Sequence, residues 1–309
     1  MGRSTAITAS RSALGAFWEF CRPHTIIGTT LAAFVLYALA VAQTGRHDLS
    51  LLLLSYLSAL AVNIYVVGIN QITDVEIDRI NKPYLPLASG ALDERSALSI
   101  VCISLAAAIS LAALVGPYMF GTVLIVFALG TAYSLPPFRF KEKPLWAATS
   151  ITVARAVVGN LGGYLHYTER LTGAPTLPAD VVAFVAFMFV FVTVIAIMKD
   201  VPDIEGDRLC EVPTLAQRLG VETTLQLCRW ILTVACLAFG AVALLASSTL
   251  AALFVWAAHV PVIALLWLLG RKVDSKKPES VYRYYMTLWK LYYLEFLSFP
   301  VAALLGRAG

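Results

Sequence analysis

The chain has 309 residues, 59% of them hydrophobic and 14% charged, with a net charge of +4 and a mean hydropathy of +0.78. A soluble domain is about half apolar and about a quarter charged, so this composition excludes a soluble globular protein, a disordered chain and a disulfide scaffold. About 182 apolar residues suffice for about nine membrane-spanning helices of roughly 20 residues each. One polytopic all-α domain over 1–309 is the resulting expectation.

In chain order, the first apolar stretch follows about 24 mixed residues without a small-residue cleavage site, so no removable signal peptide is expected. Ala6 stands where a myristoylation motif needs Ser or Thr. Nine apolar runs then succeed one another: 25–43, 50–70, 96–115, 117–134, 145–166, 180–198, 222–246, 249–270 and 285–305. Breakers separate them, among them Pro83 and Pro86, Gly116-Pro117, Pro136-Pro137, Gly173 to Pro178, Pro202, Pro213 and Pro278. The five cysteines (Cys21, Cys102, Cys210, Cys228, Cys236) form no C-x-x-C and read as small buried hydrophobes.

The loops alternate sharply in charge. One side holds 17 of the 23 Lys and Arg residues, from Arg3, Arg11 and Arg22 through Arg79, Lys82, Arg139 and Lys199 to Arg271–Arg283; the other holds Arg46, Arg170 and Arg307. The positive-inside rule puts the N-terminus and the 17-charge side in the cytoplasm, and nine helices send Gly309 to the other face. The net charge of +4 weakly suggests an anionic partner, but in a membrane protein the placement of Lys and Arg says more than their sum; no nucleic acid is expected and no protein partner is legible.

Seven of the 19 acidic residues fall in two short stretches, Asn70-Gln-Ile-Thr-Asp74-Val-Glu-Ile-Asp78 and Lys199-Asp200-Val-Pro-Asp203-Ile-Glu-Gly-Asp207. Each ends an even-numbered run, so both reach the basic membrane face. Asn70, Asp74 and Asp78, at i, i+4 and i+8, would share one helix face, as would Asp200, Asp203 and Asp207 in a helix. Charge runs usually just meet water, but like charges projecting together are costly unless a cation offsets them. Oxygen donors without sulfur or imidazole suit Mg²⁺, held by a few carboxylates plus substrate phosphates. Arg22, Arg79, Lys82, Arg139, Lys141 and Lys199 crowd the same face, and cations clamping one anion stabilise a departing phosphate. The residues thus point to a divalent-metal site for a diphosphate, opening into a bundle deep enough for a lipid tail. Arg155 and Asn160 on the fifth run could line a second, aromatic substrate's pocket, whereas His259 and Lys290 read as helix–helix contact or snorkelling.

The paired N-x-x-x-D-x-x-x-D and D-x-x-x-D motifs resemble those of the UbiA superfamily of intramembrane aromatic prenyltransferases. Five stretches bring the chain nearest its homogentisate phytyltransferase group: 17–28, 68–83, Gly130-Thr-Ala-Tyr-Ser-Leu-Pro-Pro137, 199–207 and Trp289-Lys-Leu-Tyr-Tyr-Leu-Glu-Phe296. The resemblance implies nine helices around a central cavity that opens laterally to lipid, capped on the cytosolic side by about 70–90 and 199–220. It implies two Mg²⁺ on Asn70, Asp74, Asp78, Asp203 and Asp207, with Lys199 catalytic and Arg22, Lys82, Tyr133 and Arg139 as diphosphate or pocket contacts. Asp200 departs from the plain motif count and reads equally as a partner of Lys199. The implied reaction is Mg²⁺-dependent prenyl transfer from an allylic diphosphate to a hydroxylated aromatic acid, in a bacterial plasma membrane. Homogentisate, with decarboxylation, is the first expectation for the acceptor, and a 4-hydroxybenzoate-type phenol is the alternative. A cation-coupled transporter is the non-enzyme alternative, although it would place its acids at mid-membrane rather than at helix ends.

Overall fold

The computed structural model describes residues 12–307; Arg3, Ala6, Arg11 and Gly309 lie outside the described residues. Ser12 opens α1 (Ala13–Phe20) by accepting the Gly15 N–H at 3.1 Å. Pro23 then starts α2 (Pro23–Thr44), where its missing N–H costs nothing, and Gly45, at φ +67°, ends that helix in a conformation that favours glycine. The Asp48 carboxylate caps α3 (Leu49–Thr73), accepting the Leu51 N–H at 3.0 Å. Short α4 (Val75–Asn81) and α5 (Pro86–Ser89) follow. Asp93 caps α6 (Glu94–Val115), and Gly116-Pro117 separates it from α7 (Pro117–Ser134).

A single 3-10 turn (Phe140–Glu142) leads into α8 (Pro144–Thr152), a π turn (Val153–Val158) and α9 (Gly159–Thr172), which form one continuous helical stretch. The second half of the chain adds α10 (Ala179–Met198), short α11 (Ile204–Leu209) and α12 (Leu215–Leu219), then α13 (Val221–Ala246), α14 (Thr249–Gly270) and α15 (Pro278–Arg307).

Eight of these helices are individually long and apolar enough to cross a membrane. The ninth expected run is the α8–π–α9 stretch, whose length is divided by the π turn. Successive spans pack side by side, and α15 returns to pack on α2, closing the bundle into a ring. α10 is apolar all round and the most enclosed span, with 61% of its apolar window buried against 22% for α6, which turns its Leu98 and Ile103 outward. The outward leucines, valines and aromatics of the other spans make an apolar belt suited to lipid, and the chain is an integral membrane protein.

Three local expectations need correcting. Asn70, Asp74 and Asp78 do not lie on one uninterrupted helix face, because α3 stops at Thr73 and Asp74 (φ −114°, ψ 13°) breaks the helix before α4. Asp200, Asp203 and Asp207 likewise straddle the end of α10 and the start of α11, where Pro202 lacks the N–H to continue a helix. The cysteine expectation holds for buried Cys21, Cys228 and Cys236 but fails for exposed Cys102 and Cys210.

Candidate active site

The two acidic stretches build matching corners. Asp74 is the first-turn boundary residue of α4 and Asp203 that of α11, and each carbonyl accepts the N–H four residues on, Asp78 at 2.8 Å and Asp207 at 3.0 Å. In both corners the leading carboxylate stays partly open and the trailing one is buried, Asp78 at 5% exposure and Asp207 at 6%. The corners touch through Asn81, which sequence reasoning missed. Its Oδ1 accepts the Gly206 N–H at 2.9 Å and its Nδ2 donates to Asp207 Oδ1 at 3.4 Å. Gly206 is needed there, since a Cβ would lie 2.3 Å from Asn81 Oδ1.

Asp74, Asp78, Asp200 and Asp203 each have a cation beside them, whereas Asp207 is held by Asn81. Lys82 pairs with Asp203 and stands 4.0 Å from Asp78; Arg22 Nη2 also lies 4.0 Å from Asp78. Lys141 pairs with Asp74 and donates to Thr73 Oγ1 at 2.8 Å, while Asn70 Nδ2 donates to Asp74 Oδ2 at 2.6 Å. Lys199 donates to Asp200 at 2.7 Å and sits 5.6 Å over the Tyr133 ring. Arg139 pairs with Glu142 at 3.1 Å. Arg79, expected on this face, turns outward to Glu76. The sequence places Lys141 among the basic residues of this face but not on Asp74, since nothing in a loop's spacing shows which carboxylate its lysine reaches.

Burial governs the charges. It pushes Asp78 up to about 6 against the pull of Lys82 and Arg22, and pushes Asp207 up to about 7 with the added repulsion of Asp200 and Asp203. Burial alone would lower Lys199, but Asp200 and Tyr133 beside it hold its ammonium well above the ordinary lysine range. Lys82 is likewise held up, chiefly by Asp203, against the cost of burial. Both lysines therefore remain charged at neutral pH and cannot serve as bases there.

All of these groups except Arg79 and Gly206 line one cavity that opens to solvent. A second cavity is walled by small and apolar residues of α2, α3, α7 and α9, and the two share Val66, Val126, Ile151, Ala154 and Arg155. Arg155 lies on both cavities and Asn160 on the second. Tyr133, Tyr285 and Trp289 face the outer one, Trp289 with Arg155 5.3 Å from its ring centroid. Elsewhere, His259 bridges helices, its Nε2 3.3 Å from Glu295 and its Nδ1 3.1 Å from the Cys236 carbonyl, and Lys290 is exposed.

Among the described residues no three His, Cys, Asp or Glu side chains are gathered closely enough to hold a metal ion alone. The donor set nonetheless suits Mg²⁺, which is bound through one or two carboxylates plus substrate phosphates. The ammonium groups of Lys82 and Lys141 stand beside Asp203 and Asp74 where positive charge is required.

Comparison with known proteins agrees with this geometry. The profile of the UbiA prenyltransferase family matches residues 31–291. The chain is similar to a homogentisate phytyltransferase of Synechocystis sp., 39% identical over 93% of this chain and 95% of the relative. It is also similar to homogentisate phytyltransferase 1, chloroplastic, of Arabidopsis thaliana, 38% identical over 94% of this chain and 76% of that one. The structure of a UbiA homolog from Archaeoglobus fulgidus bound to GPP and Mg²⁺ shares the fold with a TM-score of 0.64, at 19% identity over 93% of this chain and 99% of the other. Two acidic helix corners meeting over a basic cavity, a ring of membrane spans and a profile match across most of the sequence lead to one assignment: the chain belongs to the UbiA prenyltransferase family.

Proposed function

We propose that this aromatic prenyltransferase transfers the prenyl group of an allylic prenyl diphosphate to a ring carbon of homogentisate. The observation that carries the reading is the wall that two cavities share: a cavity with basic and carboxylate walls lies against an apolar one, with five lining residues in common. A molecule with a diphosphate head and a hydrocarbon tail fits that sequence of walls. The relatives named as homogentisate phytyltransferases support the acceptor.

Asn70, Asp74, Asp78, Asp203 and Asp207 would hold Mg²⁺, as two ions in this reading; bound there with the diphosphate, the metal would supply positive charge that stabilises the leaving group. Lys82, Lys199, Arg22 and Arg139 add their own charge around the same oxygens. The C–O bond breaks with its electron pair passing to the diphosphate. Tyr133, Tyr285 and Trp289 line the outer cavity, where an allylic cation would gain from their π electrons. A ring carbon of the acceptor forms the new C–C bond and loses its proton. With homogentisate, the side-chain carboxylate leaves as CO₂ and a proton takes its place on the methylene carbon. The site and N-terminus face the cytoplasm in this reading, following the charge bias of the loops.

The test is a donor-by-acceptor activity matrix in membranes, read by product mass. Prenylated homogentisate lacking the mass of CO₂, formed with Mg²⁺ and abolished by EDTA, is expected. Transfer to 4-hydroxybenzoate with its carboxylate retained, and none to homogentisate, would replace the acceptor assignment.

A further inference from the structure

The π turn at 153–158 is where the two cavities meet, and it rearranges which side chains share a wall. Five residues apart on an α-helix, Arg155 and Asn160 would point about 140° away from each other. A π turn bonds residue i to i+5 and brings such a pair back toward one side. Both side chains accordingly line the same apolar cavity.

Both also have unused polar capacity. Arg155 lies about 16 Å along the helical stretch from its start at Pro144, at the junction of the outer and the apolar cavity. No carboxylate pairs with it among the described residues; it hydrogen-bonds Tyr292 and otherwise faces the Trp289 ring and the bare Cα of Gly28, where even a Cβ would lie 3.5 Å from Nη1. Asn160 is 1% exposed and spends its Nδ2 on the Ala156 carbonyl at 3.0 Å, while its Oδ1 is buried with no hydrogen-bond partner. A hydrocarbon tail would leave Asn160 Oδ1 without a partner and the guanidinium charge without a counter-charge, at a substantial desolvation cost. A diphosphate already has Arg22, Lys82, Lys141 and Lys199 at the outer cavity.

We propose that this wall binds the polar groups of the aromatic acceptor, Arg155 taking its carboxylate and Asn160 Oδ1 accepting a hydrogen bond from a ring hydroxyl. The inference rests on the aromatic-acid reading of the acceptor given above. It makes Arg155 the residue that selects acids over neutral phenols and makes the π turn the device that aims it.

The experiment compares the full-length wild type with Arg155→Gln, Arg155→Lys and Asn160→Leu in nanodiscs. The acceptors are homogentisate and methylhydroquinone, which is the same ring with the carboxylate removed. Arg155→Gln should raise the homogentisate KM about 30-fold or more, leave the donor KM unchanged and bring the preference for homogentisate over methylhydroquinone close to one. Arg155→Lys should recover part of that preference. Asn160→Leu should raise the KM for both acceptors about 5-fold. The unchanged donor KM also reports that each variant is folded. An unaltered acceptor preference in Arg155→Gln, or a donor KM rising as much as the acceptor's, overturns the proposal. If the wild type prenylates no aromatic acid at all, the reaction assignment fails instead, and equilibrium binding of homogentisate to wild type and Arg155→Gln still decides the site: equal affinity refutes it.

Discussion

Gly206→Ala tests how tightly the two acidic corners are joined. The added methyl would sit 2.3 Å from Asn81 Oδ1 and 2.5 Å from its Cγ, so the Asn81 side chain has to leave. It then loses the bond from the Gly206 N–H and the bond to Asp207. At about 1 kcal/mol each, the two bonds amount to about 2 kcal/mol. Asn81→Ala should cost a similar amount by deleting the same bonds directly. The double variant has no side chain left to clash, so it should be no worse than Asn81→Ala alone, giving a coupling of about 2 kcal/mol between neighbouring sites. Thermal unfolding in detergent measures the stabilities, and Mg²⁺-dependent prenyl transfer measures whether Asp207 is still held. Activity should fall on the order of 10-fold or more in each single variant, since small misplacements of a positioning group are expensive. Additive losses in the double variant, or a Gly206→Ala protein as active and stable as wild type, would refute the reasoning.

Three further outcomes are expected. With Asp78 and Asp207 raised to about 6 and about 7 by burial, against about 3.9 in an unfolded chain, their stabilising contribution is full below about pH 4 and lost as pH rises through 6–7. Unfolding temperature in EDTA should therefore fall across that window for these two groups, and Asp78→Asn should flatten part of the fall; an unchanged slope contradicts it. Lys82→Ala should raise the donor KM on the order of 10-fold while the acceptor KM holds, and equal loss for both substrates would indicate a folding defect. A reporter active only in the cytoplasm, fused after Gly309, should stay inactive; strong activity would invert the topology.

The spans were legible because a lipid-facing bundle needs long apolar runs, and two of them, 117–134 and 249–270, coincide with α7 and α14. Both acidic stretches were legible for the same reason, as charge confined to helix ends. The break at Asp74 was not, because the i, i+4, i+8 spacing is equally compatible with an unbroken helix. Nor was the π turn, which inserts no breaker and leaves composition unchanged while altering which side chains share a wall. Asn81 and Gly206 are 125 residues apart and meet only through the tertiary packing of α4 on α11. Lys141 and Arg79 show the same limit from opposite sides: both are basic residues on the expected face, yet one reaches Asp74 and the other pairs outward with Glu76.

The central claim is that Asp74, Asp78, Asp203 and Asp207 act as one metal–diphosphate unit. Its most direct measurement is prenyl transfer titrated with Mg²⁺ in Asp74→Asn, Asp203→Asn and the double variant, with detergent-stable monodispersity checked for each. Either single substitution should remove nearly all Mg²⁺-dependent turnover, and the double should be little worse, because groups that act together are not additive. Substantial Mg²⁺-dependent turnover in both single variants, with the losses adding in the double, would contradict the account.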